Sequence, residues 1–302
     1  MKNVLITGAT GMVGSALVDK LLKDENSFNL GLVVRKTSKI KQEWLDHDNV
    51  KRISIEKNSD FKNYLIKFKP NIVIHLGSYL TSSSDYESIN NLINSNIKFG
   101  TLLLDALRKT KIELFVNTGT FAEYHNNSKT YNPTYLYAAT KHAFKNILKY
   151  YQSVYGFKTV DIIPYTIYGK KETKKKALDL IFDSLDALKP ICFTSNGFQK
   201  FDFIHIDDVT DFFIELIVNS EKIDNGDIFH LGTGSSYSLR QVGDMLTKLS
   251  NKTPNIEWGL GSTREKDTEI ATADTSLLKE KLNWQPAIGI QNGLKKMLEN
   301  IL

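Results

Sequence analysis

The sequence predicts an α/β fold, a doubly wound parallel sheet followed by a smaller C-terminal lobe. Three observations predict it. Short apolar runs alternate with helical patterns, the first run leads into Gly8-x-x-Gly11-x-x-Gly14, and Tyr137-x-x-x-Lys141 follows downstream. Strands that alternate with helices require right-handed crossovers, which place helices on both faces of a parallel sheet.

The first apolar run, Val4 to Ile6, is typical of a buried parallel strand, and a helical pattern begins soon after it. The glycines between them favour a tight turn, a close approach of backbone to a pyrophosphate, and close packing of helix on strand. The helix amides would then bind the pyrophosphate. This Rossmann-type dinucleotide site is predicted to comprise Gly8, Thr10, Gly11, Met12 and Val13. The spacing is not G-x-G-x-x-G, and a turn without a ligand is the alternative.

The second strand, Leu30 to Val34, is followed by Arg35, which lies 21 residues after Gly14. An acidic residue at this position binds the ribose 2′-hydroxyl of NAD, whereas an arginine pairs with the 2′-phosphate of NADP. The stretch from Val33 to Thr37 contains no Asp or Glu. The sequence therefore favours NADP, with NAD as the alternative; an exposed basic strand end is the structural alternative.

Four further apolar runs predict strands at Ile53 to Ile55, Ile72 to Ile74, Leu114 to Val116 and Val160 to Ile163. Helical stripes lie between them, one of them marked by Phe144, Ile147, Leu148 and Tyr151, another by Ile89, Leu92, Ile93, Ile97, Leu103, Leu104 and Leu107. After Pro164 the alternation loosens. We expect a dinucleotide-binding domain over 1–164, with return segments at about 201–232, and a substrate-binding lobe from 165–200 and 233–302. Phe203 to Ile206 and Ile228 to Leu231 are the expected returning strands.

Composition is that of one medium-sized enzyme: 302 residues, 41% hydrophobic and 24% charged. The sequence shows no transmembrane run or charged leader, and Cys192 is its only cysteine, so a cytoplasmic protein without an intrachain disulfide is expected. The net charge of +5 is spread widely, and the Lys170 to Lys176 cluster lacks interleaved aromatics. No nucleic acid, membrane or metal partner is therefore expected; the cluster is a solvated loop or steers a diphosphate-bearing substrate.

Candidate catalytic residues come after the fifth predicted strand. Thr120 closes the run Asn117-Thr118-Gly119-Thr120, and Tyr137 and Lys141 lie one helical turn apart on one face. A lysine ammonium and a positive nicotinamide ring favour the phenolate, which makes a tyrosine useful as an acid or base near neutrality. Packing of Tyr137 and solvation of Lys141 are the alternatives, but their position after a hydroxyl-rich strand end favours catalysis.

At these residues the chain resembles the extended short-chain dehydrogenase/reductase family, in particular its sugar-nucleotide epimerases, dehydratases and 4-keto reductases. The resemblance covers nearly the whole length. The matching stretches, in order, are Thr7 to Gly14, Val73 to Ser78, Asn96-x-x-x-Gly100-Thr101, Thr118 to Thr120, Tyr137-x-x-x-Lys141, Tyr168-Gly169, Asp202 to Val209, and Leu282-Asn283-Trp284-x-Pro286.

The resemblance implies roles for individual residues. Tyr137 would be the acid/base, Thr120 would assist at the substrate oxygen, and Lys141 would bind the nicotinamide ribose and lower the pKa of Tyr137. The remaining implied cofactor contacts are Leu76, Gly77, Ser78, Asn96 and Pro164. The implied substrate contacts are Thr81, Thr120, Tyr137, Thr166 and Arg264. A homodimer and a nucleotide-diphosphate sugar as substrate are also expected.

Some positions depart from the family pattern. Phe201 replaces the usual arginine before Asp202-Phe203-Ile204-His205, and Thr166 replaces the usual asparagine. Arg264 resembles a position that pairs with substrate phosphate, for which a guanidinium fork suits the geometry, and a surface arginine is the alternative. His205 is interpreted as supporting the fold.

The residues directly after Thr120 narrow the choice of reaction. A 4,6-dehydratase of this family carries an Asp-Glu pair there, whereas this chain has Phe121 and Ala122; a 3,5-epimerase/reductase needs a cysteine and a histidine at the site, and Cys192 lies elsewhere. An NADPH-dependent 4-keto reductase and an NAD-dependent 4-epimerase remain. Arg35 favours the reductase, similar to abequose and paratose synthases that make sugars for surface polysaccharides. A non-catalytic NADP-binding regulator is a third alternative, and the joint presence of Tyr137 and Lys141 argues against it.

Overall fold

A computed structural model of the protein describes residues 1–23, 27–54, 58–170, 175–261 and 266–299. The chain forms two compact units. The first comprises Met1–Glu123, Tyr135–Ile163 and Thr210–Phe229, and the second comprises Tyr124–Thr134, Pro164–Val209 and His230–Leu302.

The first unit is built on a seven-stranded sheet. Its strands are β1 (Lys2–Thr7), β2 (Phe28–Val34), β3 (Val50–Ser54), β4 (Ile72–His75), β5 (Leu114–Thr118), β6 (Thr159–Pro164) and β10 (Asp227–Leu231). Their order is β10-β6-β5-β4-β1-β2-β3, and the pairs from β3 to β6 are parallel. Because the order reverses between β1 and β4, the carboxyl ends of these strands flank the crevice where ligands of such sheets bind.

The helices of this unit are α1 (Met12–Leu21), α2 (Gln42–Leu45), α3 (Asn58–Phe68), α4 (Tyr86–Leu92), α5 (Phe99–Leu107) and α6 (Leu136–Tyr155). A π-helical segment, Ile93–Lys98, joins α4 to α5. The core includes Leu5, Val73, Phe115, Phe144 and Leu148, all nearly without exposed surface. Apolar residues on both faces of the central strands explain why these runs read as continuous rather than alternating.

The second unit has two small sheets and its own core. Its strands are β7 (Thr166–Tyr168), β8 (Ile191–Phe193), β9 (Lys200–His205), β11 (Ser236–Ser238), β12 (Ile256–Trp258) and β13 (Ile270–Ala271). The helices after α6 are α7 (Ala177–Asp183), α8 (Ile206–Val218), α9 (Leu239–Ser250), α10 (Ser276–Leu282) and α11 (Ile290–Glu299), with α8 continuing into the first unit. Short 3-10 turns lie at Phe121–Glu123 and Ser220–Lys222 in the first unit and at His125–Asn127 in the second.

The predicted fold class is confirmed, with one local correction. Ile228 to Leu231 lies in β10 at the edge of the main sheet, as expected. Phe203 to His205, which was also expected there, belongs instead to β9, which pairs with β7, β11 and β13 in a smaller sheet. The apolar run from Phe203 to Ile206 predicts a strand that is buried on both faces. Burial does not determine which sheet the strand joins, and this is why the prediction was wrong.

The helices that the structure describes include none with both the length and the apolar character needed to cross a membrane.

Candidate active site

The glycine turn after β1 is shaped by close backbone contacts. Gly8 has a φ of +69°, which an L side chain rarely adopts, and a Cβ there would lie 2.7 Å from the Gly77 nitrogen. A Cβ on Gly14 would lie 2.2 Å from the Gly8 oxygen. Gly11 instead has a φ of −77°, so within this turn Gly8 is the glycine with a positive φ. Gly8 and Gly14 are therefore required by the protein's own packing.

The start of α1 is open to an anion. Gly11 is the N-cap residue and brings no side chain to the first amides of the helix. Thr10 and Gly11 are exposed, whereas Met12 and Val13 are half-buried. Amides at a helix start that no side chain caps are suited to bind phosphate oxygens. The turn thus fits a cofactor pyrophosphate.

The loop after β4 is fastened to the glycine turn through Thr7. The Gly77 N–H donates to the Thr7 hydroxyl oxygen at 3.0 Å, and the same oxygen lies 2.8 Å from His75 Nδ1. Burial lowers the pKa of His75 to about 3, so its imidazole is neutral at physiological pH. This arrangement leaves Leu76 and Gly77 half-buried and Ser78 exposed at the edge of the crevice.

Asn96, an implied cofactor contact, holds the loop after β4. Its side chain is buried and accepts from the Tyr79 N–H at 2.7 Å, while its amide nitrogen donates to the Tyr79 carbonyl at 3.1 Å and the Thr140 hydroxyl at 3.0 Å. Through these contacts Asn96 fixes the loop after β4 against α6, and a cofactor contact of Asn96 stays a prediction.

Arg35 comes directly after the last residue of β2 and is exposed. A tight turn begins there, in which the Arg35 N–H donates to the Ser38 hydroxyl at 3.2 Å and the Ser38 N–H donates to the Arg35 carbonyl at 3.0 Å. Since β1 and β2 pair in parallel with Thr7 opposite Val33, Arg35 lies at the same edge of the sheet as the glycine turn. That is where the adenosine ribose of a dinucleotide lies in such folds.

Thr120, Tyr137 and Lys141 all lie in the first unit and are buried. Thr120 comes two residues after β5, and α6 carries the other two on one face, one turn apart. The Ser78 hydroxyl hydrogen-bonds the Tyr137 side chain, and the Tyr135 ring stacks on that of Tyr137 at 5.9 Å. The strand end and the helix start therefore supply a hydroxyl, a phenol and an ammonium.

Lys141 is 2% exposed, and its Nζ has no hydrogen-bond partner among the described residues. Burial lowers its pKa to about 8, while the carboxylates of Glu123 and Asp161 act in the opposite direction. A buried ammonium without a partner is costly in a folded chain and marks a place where a ligand hydroxyl completes the hydrogen bonds. This unpaired ammonium fits a nicotinamide ribose.

The pKa of Tyr137 moves in the direction opposite to the expectation. Burial raises it above the ordinary phenol value, and the carboxylate of Glu123 adds to the rise. The reason is desolvation, which penalises the phenolate more than the hydrogen bond from Ser78 favours it. In the protein alone Tyr137 is thus held as a neutral phenol, the form that donates a proton.

Glu123 and His142 are two site residues that the sequence motifs did not indicate. Glu123 is 1% exposed; its Oε1 accepts from the Thr120 N–H at 3.0 Å, and its Oε2 lies 3.0 Å from His142 Nδ1. Burial raises the pKa of Glu123, and these two hydrogen bonds oppose the rise. The Thr-x-x-Glu spacing of Thr120 and Glu123 is the capping-box pattern, which could have indicated the first contact.

The other predicted contacts divide between the units. Thr81 is buried in the first unit and accepts from the Ser83 N–H at 3.1 Å. Pro164 and Thr166 belong to the second unit. Arg264 and most of the Lys170 to Lys176 cluster lie outside the described residues. His205 accepts from the Asp207 N–H at 3.2 Å and packs edge-on against Tyr168.

Within the described parts of the chain, no group of three or more His, Cys, Asp or Glu side chains is arranged to hold a metal ion.

Comparison with known proteins identifies what the chain is similar to. The profile of the NAD dependent epimerase/dehydratase family matches residues 4–232. The CDP-abequose synthase of Salmonella typhimurium is 24% identical over 309 residues, covering 99% of this chain and 98% of that protein. The UDP-glucose 4-epimerase of Mycolicibacterium smegmatis is 24% identical over 310 residues, covering 98% and 97%.

Among solved structures, the UDP-glucuronic acid 4-epimerase of Bacillus cereus in complex with UDP-glucuronic acid and NAD superposes with a TM-score of 0.87. The two chains are 21% identical, and the match covers 99% of this chain and 98% of the other. At that identity the likeness shows the shared fold.

Proposed function

The chain belongs to the NAD-dependent epimerase/dehydratase family, and on that premise we propose that it uses NADPH to reduce the 4-keto group of a nucleotide-linked 4-keto-6-deoxysugar. The observation that favours an NADPH-dependent reductase over an NAD-dependent epimerase is Arg35 at the end of β2, with no carboxylate from Val33 to Thr37. The match to CDP-abequose synthases over nearly the full length supports the same class. Such a product would serve surface polysaccharide synthesis.

The residues present fit a dinucleotide cofactor. The amides at the start of α1 would hold its pyrophosphate, Arg35 would pair with the 2′-phosphate, and Lys141 Nζ would take the nicotinamide ribose hydroxyls. When bound, the reduced cofactor supplies a hydride to the sugar C4. The loop from Leu76 to Ser78, held by Thr7 and Asn96, would close the cofactor crevice on its β4 side.

The chain's own contribution to the reaction is positioning and proton transfer. Tyr137, held as a neutral phenol by burial, would give its proton to the C4 alkoxide as charge develops there. The Thr120 hydroxyl would donate a hydrogen bond to the same oxygen, which stabilises the developing charge. The atoms balance as ketone plus NADPH plus one proton to alcohol plus NADP⁺. Lys141, charged below a pH of about 8, would stabilise the phenolate that remains.

A 4-epimerase is the second candidate, because relatives such as the UDP-glucose 4-epimerase match as completely as the synthases do. It would use the same hydroxyl, phenol and ammonium but would retain NAD and return the hydride to the opposite face. An NAD-dependent enzyme of this fold would be expected to carry an acidic residue at position 35. Arg35 is what favours the reductase.

A dehydratase is disfavoured by the residues after Thr120. Phe121 and Ala122 offer no acid or base. Glu123, the next carboxylate, is buried with one oxygen on the Thr120 N–H and the other on His142. Elimination needs a carboxyl group free to exchange protons with the sugar, and both oxygens of Glu123 are engaged.

The test is a cofactor oxidation assay on the purified protein. Given a CDP- or dTDP-linked 4-keto-6-deoxyhexose, we expect one NADPH to be oxidised for each sugar reduced. Given UDP-glucose or UDP-galactose, we expect no turnover. Turnover of the UDP-hexoses without net oxidation would establish the epimerase instead. The cytoplasmic location and the homodimer stay predictions from the sequence; light scattering after size exclusion measures the second.

A further inference from the structure

We propose that Glu123 is a positioning residue for the proposed reaction: it fastens the Thr120 loop to α6 through His142 and so sets Thr120 relative to Tyr137 and Lys141. The proposal rests on the function proposed above, because Thr120 and Tyr137 act together only if both contact the same substrate oxygen.

The geometry gives Glu123 two separate contacts. Its Oε1 accepts from the Thr120 N–H at 3.0 Å, and its Oε2 lies 3.0 Å from His142 Nδ1. With Glu123 ionised, its carboxylate only accepts hydrogen bonds, and His142 donates to it from Nδ1. His142 is the residue next to Lys141 on α6, the helix that also carries Tyr137. One side chain thus bridges the two elements that carry the catalytic groups.

The residues around the Glu123 carboxylate leave space for it. A Cβ on Gly119 would lie 2.6 Å from Glu123 Oε1, so the glycine beside Thr120 leaves the space that the carboxylate fills. The loop is closed on itself as well: the Glu123 N–H donates to the Thr120 carbonyl at 3.1 Å, and the Ala122 N–H to the Thr120 hydroxyl oxygen at 3.3 Å. The second of these orients the hydroxyl that would contact substrate.

A carboxylate that is 1% exposed is costly to bury, and three ionisable side chains lie near it: those of His142 and Lys145 favour its ionised form, and its charge acts on Lys141. Capping the first N–H of a short 3-10 turn does not require a buried charge, since an uncharged side chain can accept that hydrogen bond equally well. The distinguishing property of Glu123 is that its second oxygen reaches a different element.

The test compares Glu123→Ala, Glu123→Gln and His142→Phe with the wild type, and uses the exposed Glu221→Gln as the matched control. Assays at about pH 6.5 lie below the Lys141 pKa of about 8 in the wild type, which leaves room for the lower pKa that loss of the Glu123 charge would cause. Glu123→Ala should lower kcat about 100-fold, since a misplacement of about 1 Å has that effect, with KM for the sugar and Kd for NADPH within about twofold. His142→Phe should lower kcat about tenfold.

Glu123→Gln keeps an acceptor for the Thr120 N–H and should restore kcat to within about threefold of the wild type. Glu221→Gln should match the wild type. A Glu123→Ala enzyme with wild-type kcat, or a Glu123→Gln enzyme as slow as Glu123→Ala, overturns the proposal. If Glu123→Ala does not fold, His142→Phe and Glu123→Gln decide in the same way: wild-type kcat in His142→Phe, or a 100-fold loss in Glu123→Gln, contradicts it.

A second readout is independent of the reaction. Hydrogen exchange of the segment containing Thr120, followed by mass spectrometry, should be about tenfold faster in Glu123→Ala and unchanged in Glu123→Gln. If the wild type reduces no 4-keto sugar, the proposed function fails, and this exchange measurement alone decides whether Glu123 holds the loop. Unchanged exchange in Glu123→Ala then overturns the inference.

Discussion

Lys141 lies one turn after Tyr137 on α6, and at neutral pH burial leaves the phenol of Tyr137 protonated and the ammonium of Lys141 charged, because the pKa of Lys141 falls only to about 8. For a reduction near neutral pH this is the productive pair, because the phenol must begin protonated and the ammonium must be charged to stabilise the phenolate that remains.

The first prediction is the pH dependence of reduction. The charged form of Lys141 is fully present well below its pKa of about 8 and is lost as the pH rises through that value. We therefore expect kcat/KM for the reduction to be flat from mildly acidic to neutral pH and to fall above about 8, as measured by initial rates. A profile that rises through pH 8 would contradict the assignment of Lys141.

The second prediction concerns the proton donor. Tyr137→Phe should keep NADPH binding and lower turnover by about 10²–10⁴, because only the proton donor is removed. Lys141→Ala should harm both cofactor binding and turnover, since one side chain serves both. Tyr64→Phe, at an exposed tyrosine of α3, is the matched control. Near-normal turnover in Tyr137→Phe would mean that Tyr137 only packs.

The third prediction concerns cofactor choice. Loss of a phosphate–guanidinium pair in Arg35→Asp should weaken NADPH binding roughly tenfold to a hundredfold, or about 1.5–3 kcal/mol. NADH binding should not weaken, because a carboxylate at this position can bind the ribose 2′-hydroxyl. Titration of both cofactors into wild type and variant measures this. Arg52→Asp, at an exposed arginine on β3, should leave the preference intact. NADH binding by the wild type that is as tight as or tighter than NADPH binding would rule out the NADP assignment.

The fourth prediction tests the packing that supports α6. A Cβ on Gly100 would lie 2.4 Å from the ring of Phe144, which is fully buried and cannot move aside. Gly100→Ala should therefore lower the free energy of unfolding by about 1–3 kcal/mol. Gly289→Ala, where a Cβ would meet nothing within 4 Å, should change it by less than about 0.5 kcal/mol. Chemical denaturation measures both, and equal stabilities would contradict the packing argument.

The sheet was predictable because its strands are short apolar runs buried on both faces. Val4 to Ile6 lies within β1 and Leu114 to Val116 within β5. The π-helical segment Ile93–Lys98 was not predictable, since an apolar stripe indicates a buried face but not the hydrogen-bond pattern beneath it. Likewise, the apolar run that begins at Phe203 predicts a buried strand but not the sheet to which the strand belongs.

The candidate site was predictable where chemistry and chain order coincide. Tyr137 and Lys141 are one turn apart, and Thr120 comes just after a strand, so local spacing was enough to select them. Glu123 and His142 lie 19 residues apart, and their contact forms only through the fold. The hydrogen bond from the Asn96 amide to the Thr140 hydroxyl was not predictable for the same reason, because the two residues lie far apart in the sequence.

The measurement that tests the proposed reaction most directly is the fate of the hydride. With C4-deuterated NADPH and a CDP- or dTDP-linked 4-keto-6-deoxyhexose, the protein should place one deuterium on the sugar C4 for each NADPH oxidised, because a reductase begins with reduced cofactor and ends with oxidised cofactor. Product analysis by mass spectrometry and NMR reports both. Interconversion of UDP-glucose and UDP-galactose, with no net cofactor oxidation and no deuterium in the sugar, would contradict the reductase and leave the 4-epimerase.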